Sequence, residues 1–508
     1  MTWGDTSEVR TPDHATCYAA VKARDGRFDG RFYTGVKTTG IFCRPSCPAR
    51  TPKAANVTFF PHPASAVAAG FRPCMRCRPE LTPHHTEWNR RADLTERALR
   101  AIESGAIDEI GVAGLANQLG VSERHLRREI NAQLGTSPRQ LAQLRRLRVA
   151  RILLDQTQLP VTQVSWAAGF TSIRQFNDAC KAAFGVPPSK LRRLPTPEGP
   201  AIDTPDSRCS PMSVGITLQS SGGTGWGFTH RYLAARAIPG LESVSSAETP
   251  ESNNPILRFA RSLPGCRVEV SGPANGDTLH LDFTGTDLRL LGRTIPVVRR
   301  VADLDTNLDP IRDHLRNDPW LAAILDAHQL PRLVGAFDGF EVGVRAIVGQ
   351  QISVAGARTL LGRLLTLVSG APGATHPEPT GFPSPEAVAA ADLSALGMPG
   401  RRKATITALA QAAADGQLDL SPNADPEQLA ADLVRLPGIG PWTAGYIVMR
   451  ATSAPDGWPP GDLGLRRTLG IPAPELERRA HRWQPWRAYA AMLLWSVPPV
   501  SSTSQELS

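Results

Sequence analysis

Two close pairs of cysteines near the N-terminus are the sequence feature that most limits the folds this chain can adopt. Residues 40–50 read GIFCRPSCPAR and residues 70–79 read GFRPCMRCRP. The paired residues are Cys43, Cys47, Cys74 and Cys77. Two such pairs can close a tetrahedral site of four sulfur ligands, which suits Zn²⁺. Arginines flank both pairs, and their charge favours thiolates as well as contact with phosphate. The spacing therefore predicts a small zinc-binding unit rather than four unrelated thiols.

Length and composition indicate a multidomain globular protein. The chain has 508 residues, of which 41% are hydrophobic and 20% are charged. This length predicts roughly three to four domains. No apolar run reaches the about 18 residues of a membrane span, and the N-terminus lacks the apolar core of a signal peptide. Eight cysteines are too few for a disulfide scaffold. We therefore expect a protein of the reduced cytoplasm, associated with the nucleoid and without a membrane partner.

The charge is concentrated in the first part of the chain. Residues 1–200 contain 29 Lys and Arg against 17 Asp and Glu, whereas residues 201–508 contain 27 against 30. A basic N-terminal part indicates a polyanionic partner, and nucleic acid is the usual one. Charge alone fits DNA, RNA or an acidic protein.

Two segments after the cysteines repeat one plan, a short helix, a glycine-containing turn and a second helix. The first is VAGLANQLGVSERHLRREI (112–130) and the second is VTQVSWAAGFTSIRQFNDACKAAF (161–184). Ser122 can cap the second helix of the first motif, and Thr171 or Ser172 that of the second. The pattern predicts two helix-turn-helix motifs.

An amphipathic helix is expected between the two motifs. Its sequence, QLRRLRVARILL, places leucines on one face and Arg145, Arg148 and Arg151 on the other. The aromatic residues expected in the core of this unit are Trp166, Phe170 and Phe176.

The C-terminal part contains a helix–hairpin–helix pattern followed by a carboxylate. In LPGIGPWTAGYI (436–447), one helix ends, the segment from Gly438 to Gly440 turns tightly, and a new helix begins with Pro441. Such a hairpin presents backbone N–H groups to a DNA phosphate. A Pro-Pro-Gly turn then leads to Asp462, which can cap a helix, act in catalysis, or do both.

The cysteine segment resembles the N-terminal domain of the Ada adaptive-response family, in VKTTGIFCRPSCPAR and AGFRPCMRCRP. The resemblance implies that zinc-bound Cys43 accepts a methyl group from a DNA methylphosphotriester. Methylation would remove one negative charge from the site and weaken its repulsion from phosphate. A zinc knot without transfer chemistry is the alternative.

The two helix-turn-helix motifs resemble the AraC-family DNA-binding domain, most clearly in AAGFTSIRQFNDACKAAFGVPPSKLR. The resemblance implies that both second helices enter successive major grooves. The candidate DNA-contacting residues are Glu123, Arg124, Arg127, Arg128, Ser172, Arg174, Gln175 and Asn177. At least half of them are expected to touch only phosphate or solvent.

Residues from about 212 to 497 resemble the AlkA-type 3-methyladenine DNA glycosylases of the helix–hairpin–helix superfamily. Besides the hairpin, FEVGVRAIVGQQISVAGA (340–357) and RRAHRWQPWRAYAAMLLW (478–495) carry the match. The resemblance implies that Asp462 is catalytic. It also implies a base pocket of Trp442, Tyr446, Trp495 and Gln350, DNA contact by Gly438 and Gly440, and a monovalent cation on the carbonyls of Val434, Leu436 and Ile439. Trp483 and Trp486 are expected in the core.

The residues indicate a glycosylase without strand cleavage, because Trp442 stands where bifunctional relatives carry a Schiff-base lysine. Asp462 would stabilise the oxocarbenium-like sugar or orient water. The aromatic rings would attract a flipped, cationic alkylated base. The sequence departs from the family at the apolar wedge, where Gln351 stands and Ile352 can take over, and at Ser496, where an aromatic wall is missing.

Together these observations predict a fusion protein that is mainly α with α+β parts. The expected domains are a small Zn(Cys)₄ α/β domain (1–80), an all-α double helix-turn-helix domain (87–194), a linker (195–211), a TBP-like α/β subdomain (212–305), an all-α helix–hairpin–helix glycosylase domain (306–497) and a disordered tail (498–508). The expected partners are double-stranded DNA, at damaged sites and promoters, and RNA polymerase. The Pro-Cys-His-Arg motif of guanine-methyl transfer is absent from the sequence. The alternative function is an alkylation-responsive regulator whose glycosylase-like region only binds DNA.

Overall fold

The computed structural model describes residues 13–81, 94–192, 211–220, 222–249, 252–369 and 381–497. The chain forms two compact units, residues 1–210 with 287–296 and residues 211–286 with 297–508. Nearly all of the predicted linker 195–211, including Cys209, lies outside the described residues, as does the predicted tail 498–508.

The N-terminal domain places the two cysteine pairs at the ends of neighbouring strands. Its elements are α1 (His14–Ala23), β1 (Tyr33–Val36), β2 (Ile41–Cys43), β3 (Val57–Phe60), α2 (Pro63–Ala68) and β4 (Arg72–Pro73). The strand order is β3-β1-β2-β4, and β2 and β4 run parallel with Phe42 opposite Pro73. Because the next residues are Cys43 and Cys74, this register brings one cysteine of each pair side by side. Phe32, Tyr33 and Phe42 are fully buried behind them.

The following seven helices of the described range 94–192 include the two predicted helix-turn-helix motifs, of which the first consists of the second and third helices and the second of the fifth and sixth. They are α3 (Leu94–Ser104), α4 (Ala106–Gln118), α5 (Glu123–Leu134), α6 (Pro138–Gln156), α7 (Val161–Ala167), α8 (Ile173–Phe184) and α9 (Pro188–Leu191). The Ser122 side chain accepts the N–H of His125 at 3.2 Å, and Ser172 accepts that of Gln175 at 3.1 Å. The predicted cap of α5 is confirmed, and Ser172 rather than Thr171 caps α8.

Helix α6 is covered on both faces. Leu141, Leu144 and Leu147 are buried as predicted. The expected separation of arginines onto an opposite face is wrong, because Arg145 and Arg151 are also buried. Asp108 lies 2.8 Å from Arg145 and Asp155 lies 3.0 Å from Arg151, so ion pairing permits their burial.

The predicted aromatic core of this domain is confirmed at two of its three positions. Phe170 and Phe176 are buried, with ring centroids 5.0 Å apart. Trp166 is 53% exposed, so the core position predicted for it is wrong. The reason is that α7 directs Val164 and Ala167 inward, which leaves Trp166 on its solvent face.

The second unit begins with an antiparallel sheet. Its elements are β5 (Met212–Gln219), α10 (Trp226–Arg236), β6 (Glu242–Thr249), β7 (Ser252–Leu263), β8 (Cys266–Pro273) and β9 (Thr278–Gly285). Helix α11 (Leu288–Val301) follows; its residues up to 296 belong to the first unit and the rest to the second. The strand order is β5-β9-β8-β7-β6. Leu279, Leu281 and Phe283 alternate along β9 and are fully buried, which indicates one covered sheet face.

A helical region completes the second unit. It contains α12 (Asp309–Leu315), α13 (Pro319–Ala327), α14 (Gly339–Val348), α15 (Val354–Ser369), α16 (Pro385–Ala390), α17 (Gly400–Ala414), α18 (Pro426–Leu433), α19 (Pro441–Ala451), α20 (Leu463–Leu469), α21 (Ala473–Ala480) and α22 (Arg487–Ser496). Trp483 and Trp486 are buried, as predicted. Across the described ranges, every helix is too short or too polar to cross a bilayer.

A buried ion network joins the sheet to the helical region. Arg261 on β7 donates to Glu242 on β6 at 2.7 Å and to Glu341 on α14. Arg345 on α14 donates to Glu341 at 2.7 Å and to Glu242 at 2.8 Å. Burial raises the pKa of Glu341, but Arg261 and Arg345 outweigh this effect and lower that pKa to about 2. The four side chains therefore lock α14, which carries the loop before α15, against the sheet.

Candidate functional site

The four paired cysteines form one cluster. The ligand atoms of Cys43, Cys47, Cys74 and Cys77 all lie within 4.8 Å of one another. Zn–S bonds of about 2.3 Å in a tetrahedral site require sulfur atoms about 3.8 Å apart, so a small contraction would suit zinc. Cys47 and Cys77 are buried and Cys43 is half-buried. The donor set and the geometry therefore fit a tetrahedral Zn²⁺.

Neighbouring thiols alone favour the thiolate form at Cys47. Hydrogen bonds from Cys43 and Cys77 lower the pKa of the Cys47 thiol. The hydrogen bond with Cys47 is the largest of the causes that raise the pKa of Cys43. A divalent cation would favour ionisation of all four thiols, because metal binding releases their protons.

Asp29 fixes the turn between the first two cysteines and was not identified from the sequence. Its carboxylate accepts the Ser46 N–H at 3.0 Å and the Ser46 hydroxyl at 2.5 Å. The Arg44 guanidinium lies 3.4 Å from the same carboxylate. Asp29 lies fourteen residues before Cys43, and nothing in the local pattern marked it as a partner of this turn.

The predicted DNA-contacting side chains lie on the two recognition helices, α5 and α8. Arg124, Arg127 and Arg128 on α5 are exposed, and Arg127 pairs with Glu123. On α8, the Arg174 side chain is 94% exposed and Gln175 is also exposed, whereas Asn177 is half-buried.

The hairpin before α19 requires glycine at its apex. Gly438 has φ +89°, and a Cβ there would lie 2.1 Å from the Thr405 hydroxyl oxygen. That hydroxyl donates to the carbonyl of Pro437 at 2.9 Å. Gly440 caps α19, and Pro441 is its first residue, as predicted. Helix α17 therefore supports the hairpin from behind.

Gln350 also supports the hairpin. Its amide nitrogen donates to the Gly438 carbonyl and to the Thr443 hydroxyl, both at 3.1 Å. The sequence predicted a position in the base pocket for Gln350. The structure places it beside the pocket, where its amide fixes the hairpin to the loop after α14.

Asp462 caps α20 and is held by two indole groups. Its Oδ1 accepts the Leu465 N–H at 2.9 Å and Trp495 Nε1 at 3.1 Å. Its Oδ2 accepts Trp442 Nε1 at 2.7 Å. The side chain is 7% exposed. A carboxylate fixed by three donors at a helix start is both a cap and a preorganised negative charge.

A cavity of about 410 Å³ opens at this carboxylate. The predicted residues Trp442, Tyr446, Asp462 and Trp495 all line it. The rings of Trp442 and Tyr446 stack with centroids 5.5 Å apart and an interplanar angle of 12°. Trp495 tilts against Tyr446, with centroids 6.3 Å apart. The cavity thus places the Asp462 carboxylate beside a wall of aromatic faces. Three further carboxylates line it, those of Glu242, Asp338 and Glu341.

A polar cluster at the cavity was not identified from the sequence. The hydroxyls of Tyr232 and Tyr446 lie 2.7 Å apart, and Arg450 donates to both. The guanidinium carbon of Arg236 lies 3.7 Å from the centre of the Tyr232 ring. Burial raises the pKa of Tyr446, but the charges of Arg450 and Arg236 outweigh it and lower that pKa. Tyr232 and Arg450 are far apart in the sequence, and no local pattern pairs them.

The two wedge candidates occupy different positions. Gln351 is exposed, has φ +57°, and accepts a hydrogen bond from Arg402 at 3.4 Å. Ile352 lines the cavity and packs against the helical core. A left-handed conformation at a non-glycine residue is strained, so the backbone at Gln351 is strained.

Three family models match this chain. They are the metal-binding domain of Ada at residues 16–80, a helix-turn-helix domain at residues 115–194, and the AlkA N-terminal domain at residues 217–338. The predicted fusion of Ada-type and AlkA-type parts is thereby confirmed.

Curated relatives match in the same arrangement. A probable bifunctional transcriptional activator/DNA repair enzyme AlkA from Mycobacterium tuberculosis is 38% identical over 491 residues, which is 96% of each chain. The DNA-3-methyladenine glycosylase 2 of Escherichia coli is 34% identical over 53% of this chain and 93% of its own length. The bifunctional transcriptional activator/DNA repair enzyme Ada of Escherichia coli is 35% identical over 35% of this chain and 50% of its own length. Zinc-binding domain, helix-turn-helix domain and glycosylase region together show that this chain belongs to the family of bifunctional transcriptional activator/DNA repair enzymes.

Proposed function

We propose that the glycosylase region hydrolyses the N-glycosidic bond of alkylated, 3-methyladenine-like bases in double-stranded DNA. One observation carries the proposal, the Asp462 carboxylate held by Trp442 and Trp495 in the wall of an aromatic cavity. The relative from Escherichia coli that spans this region is named a DNA-3-methyladenine glycosylase, which supports the same substrate class.

The geometry suits a cationic leaving base. A base made positive by alkylation would face the rings of Trp442 and Tyr446, and cation–π attraction in a desolvated site contributes on the order of 2 kcal/mol. The C1′–N bond would break with its electron pair leaving on the base, which needs no proton because its charge is neutralised. Asp462 would stabilise the positive sugar and orient the water whose oxygen bonds to C1′.

Strand cleavage is not part of the proposed reaction. Trp442 occupies the position of the Schiff-base lysine, and the described residues that line the cavity include no lysine. Without an amine nucleophile, no imine with C1′ can form. The product would be an intact strand with an abasic site.

Gln351 is proposed as the wedge that fills the gap left by the flipped base. Arg402 binds its amide oxygen, which leaves the amide nitrogen free to donate to the orphan base. Gln351→Ala should lower the excision rate more than Ile352→Ala lowers it, after correction for any loss of stability. A larger loss in Ile352→Ala would instead favour Ile352, and an equal loss would contradict the choice of Gln351.

The hairpin is proposed to bind a DNA phosphate through backbone N–H groups after Gly438 and Gly440. A monovalent cation on the carbonyls of Val434, Leu436 and Ile439 would add positive charge beside that phosphate. The Leu436 carbonyl also accepts the Ile439 N–H at 3.1 Å, so one of its lone pairs is already used.

Cys43 is proposed as the methyl acceptor of the zinc site, and Cys47, Cys74 and Cys77 as its companion ligands. Bound zinc would supply Lewis-acid charge that keeps the sulfurs as thiolates near neutral pH. The Cys43 sulfur would bond to the methyl carbon of a phosphotriester, and the C–O bond would break toward a phosphodiester anion. Cys43 and Cys74 are both half-buried, whereas Cys47 and Cys77 are buried; exposure therefore favours the first two, and the resemblance to Ada selects Cys43.

The helix-turn-helix domain is proposed to bind promoter DNA and to recruit RNA polymerase. The exposed side chains of Arg124, Arg127, Arg128, Arg174 and Gln175 support a DNA contact, and half-buried Asn177 is the least accessible of the set. The proposed domain boundaries remain residues 1–80, 87–194, 212–305 and 306–497.

Release of methyladenine from methylated duplex DNA tests the proposed glycosylase. Wild-type protein should release the base without nicking the strand, and Asp462→Asn should be slower by roughly 10³-fold. Asp456→Asn is the control, because Asp456 pairs with Arg487 outside the cavity lining. No release by folded, DNA-binding wild-type protein would favour the regulator whose glycosylase-like region only binds DNA.

A further inference from the structure

The loop between the second pair of cysteines contacts the helix that connects the two helix-turn-helix motifs. Arg78, next to Cys77, lies 2.6 Å from Asp155 near the end of α6. Met75, between Cys74 and Cys77, has its sulfur 3.7 Å from a guanidinium nitrogen of Arg151. The zinc-site loop, residues 74–78, is therefore attached to α6 at two points.

These contacts continue to the second recognition helix. Arg151 is 1% exposed, lies 3.0 Å from Asp155, and has its guanidinium carbon 5.7 Å from the ring centre of Phe184. Phe184 is the last residue of α8. A Cβ on Gly185, which caps that helix, would lie 2.5 Å from the Arg72 guanidinium. The end of α8 thus rests on residues that adjoin the cysteines.

The first recognition helix is attached in a comparable way. The Ser65 hydroxyl, on α2 of the zinc-binding domain, donates to the carbonyl of Leu134, the last residue of α5. This contact is made by α2 and involves no residue of the zinc-site loop. Both recognition helices therefore end against the zinc-binding domain, but α8 ends against the part whose shape depends on the metal.

We infer that zinc binding positions α8 through the chain Arg78–Asp155–Arg151–Phe184. Arg78 has φ +47°, a conformation that the closed cysteine site can hold and a free loop would leave. Release of the loop would remove Arg78 from Asp155 and Met75 from Arg151. The Arg151–Asp155 ion pair would then lose its contacts with Arg78 and Met75, so it would hold Arg151 less firmly against Phe184. Helix α8 would therefore open more often. The inference concerns zinc and does not require methyl transfer to Cys43.

Hydrogen exchange of the full-length protein tests this coupling. Removal of zinc by a chelator should raise amide exchange in α8 by about tenfold or more, the loss expected for a charge-assisted hydrogen bond. Exchange in α4 should rise much less. An equal rise in α4 and α8 would overturn the inference, because it would mean general destabilisation of the unit.

A variant tests the same chain with zinc still bound. Arg78→Gln should raise α8 exchange by a similar factor while the protein keeps its zinc, measured by metal analysis. Arg76→Gln is the matched control, because Arg76 is exposed and lies between the same two cysteines. Zinc-loaded Arg78→Gln with wild-type exchange in α8 would contradict the inference, as would an equal effect of Arg76→Gln.

Discussion

The cysteine cluster and the aromatic cavity are built in opposite ways. The cluster takes its four ligands from a short segment, residues 43–77, and two paired strands bring them together. The cavity takes its wall from residues spread between Tyr232 and Trp495. The first site needs a metal ion to hold mutually repelling sulfurs, whereas the second holds one carboxylate with hydrogen bonds from tryptophans. Metal removal should therefore unfold the cysteine cluster, whereas the shape of the cavity should depend on packing between residues far apart in the sequence.

Zinc removal should give the largest effect and separate the two sites. Structural zinc contributes about 10 kcal/mol or more to the folding of small domains. A chelator should therefore abolish exchange protection in residues 13–81 and leave base release unchanged. Added Zn²⁺ should restore protection. Loss of base release at the same chelator concentration would contradict the independence of the two sites.

Glu341→Gln should produce the next largest effect. The change leaves Arg261 and Arg345 with an incomplete partner set, and breaking such a buried pair costs about 3–5 kcal/mol. The pKa of Glu341 is lowered to about 2. Its contribution to the free energy of unfolding is therefore complete above the ordinary glutamate pKa and falls as the pH approaches 2. Urea unfolding should show a large difference from wild type at pH 7 and a smaller one at pH 3.

Glu269→Gln is the matched control for this variant. Glu269 pairs with Arg258 at 3.1 Å in the same sheet, but both side chains are substantially exposed. Its loss should cost less than about 1 kcal/mol. Similar losses in the two variants would show that the buried network does not lock α14.

Glu80→Gln should stabilise the first unit, and only at higher pH. Glu80 is 2% exposed, and burial raises its pKa to about 7 despite three nearby arginines. Wild-type stability is then complete below the ordinary glutamate pKa and decreases as the pH rises through 7, by up to about 3 kcal/mol. Thermal unfolding should show no difference between variant and wild type at pH 4 and a more stable variant at pH 8. The same difference at both pH values would contradict the raised pKa.

Trp442→Phe should have the smallest effect and test how the carboxylate is held. Phenylalanine keeps an aromatic face and loses the N–H that donates to Asp462. Loss of one charge-assisted hydrogen bond should lower the single-turnover excision rate by about tenfold. Trp458→Phe is the control, because Trp458 donates to Glu477 at 2.9 Å. Equal rates in the two variants would contradict the positioning of Asp462 by Trp442.

Local sequence signals predicted much of this molecule. Cysteine spacing, the cap at Ser122 and the glycine hairpin at Gly438 each depend on neighbouring residues, and so they could be predicted directly. For the cap of α8 the sequence left Thr171 and Ser172 as alternatives, and the structure selects Ser172. Asp462 and Trp442 needed a family resemblance, because no local pattern brings them together.

The remaining features depend on tertiary partners. The separate arginine face expected on α6 was wrong, because at about 100° per residue Arg151 falls between Leu144 and Leu147. Burial of Arg145 and Arg151 depends on their tertiary partners Asp108 and Asp155. The hydrogen bond from the Gln350 amide to the Thr443 hydroxyl supports the hairpin, and it joins residues 93 positions apart, which no local pattern predicts. Tyr232 and Arg450 meet across 218 residues, a separation that no local pattern encodes.

One experiment tests most directly the claim that a single chain carries two independent reaction centres. Duplex DNA carrying labelled methyl groups on both bases and phosphates is treated with wild-type protein, Asp462→Asn and Cys43→Ala. Released base and label bound to protein are counted separately. The account predicts that Asp462→Asn keeps protein labelling and loses base release, and that Cys43→Ala does the reverse. Wild-type base release by Asp462→Asn, or loss of both products in either folded variant, would contradict it.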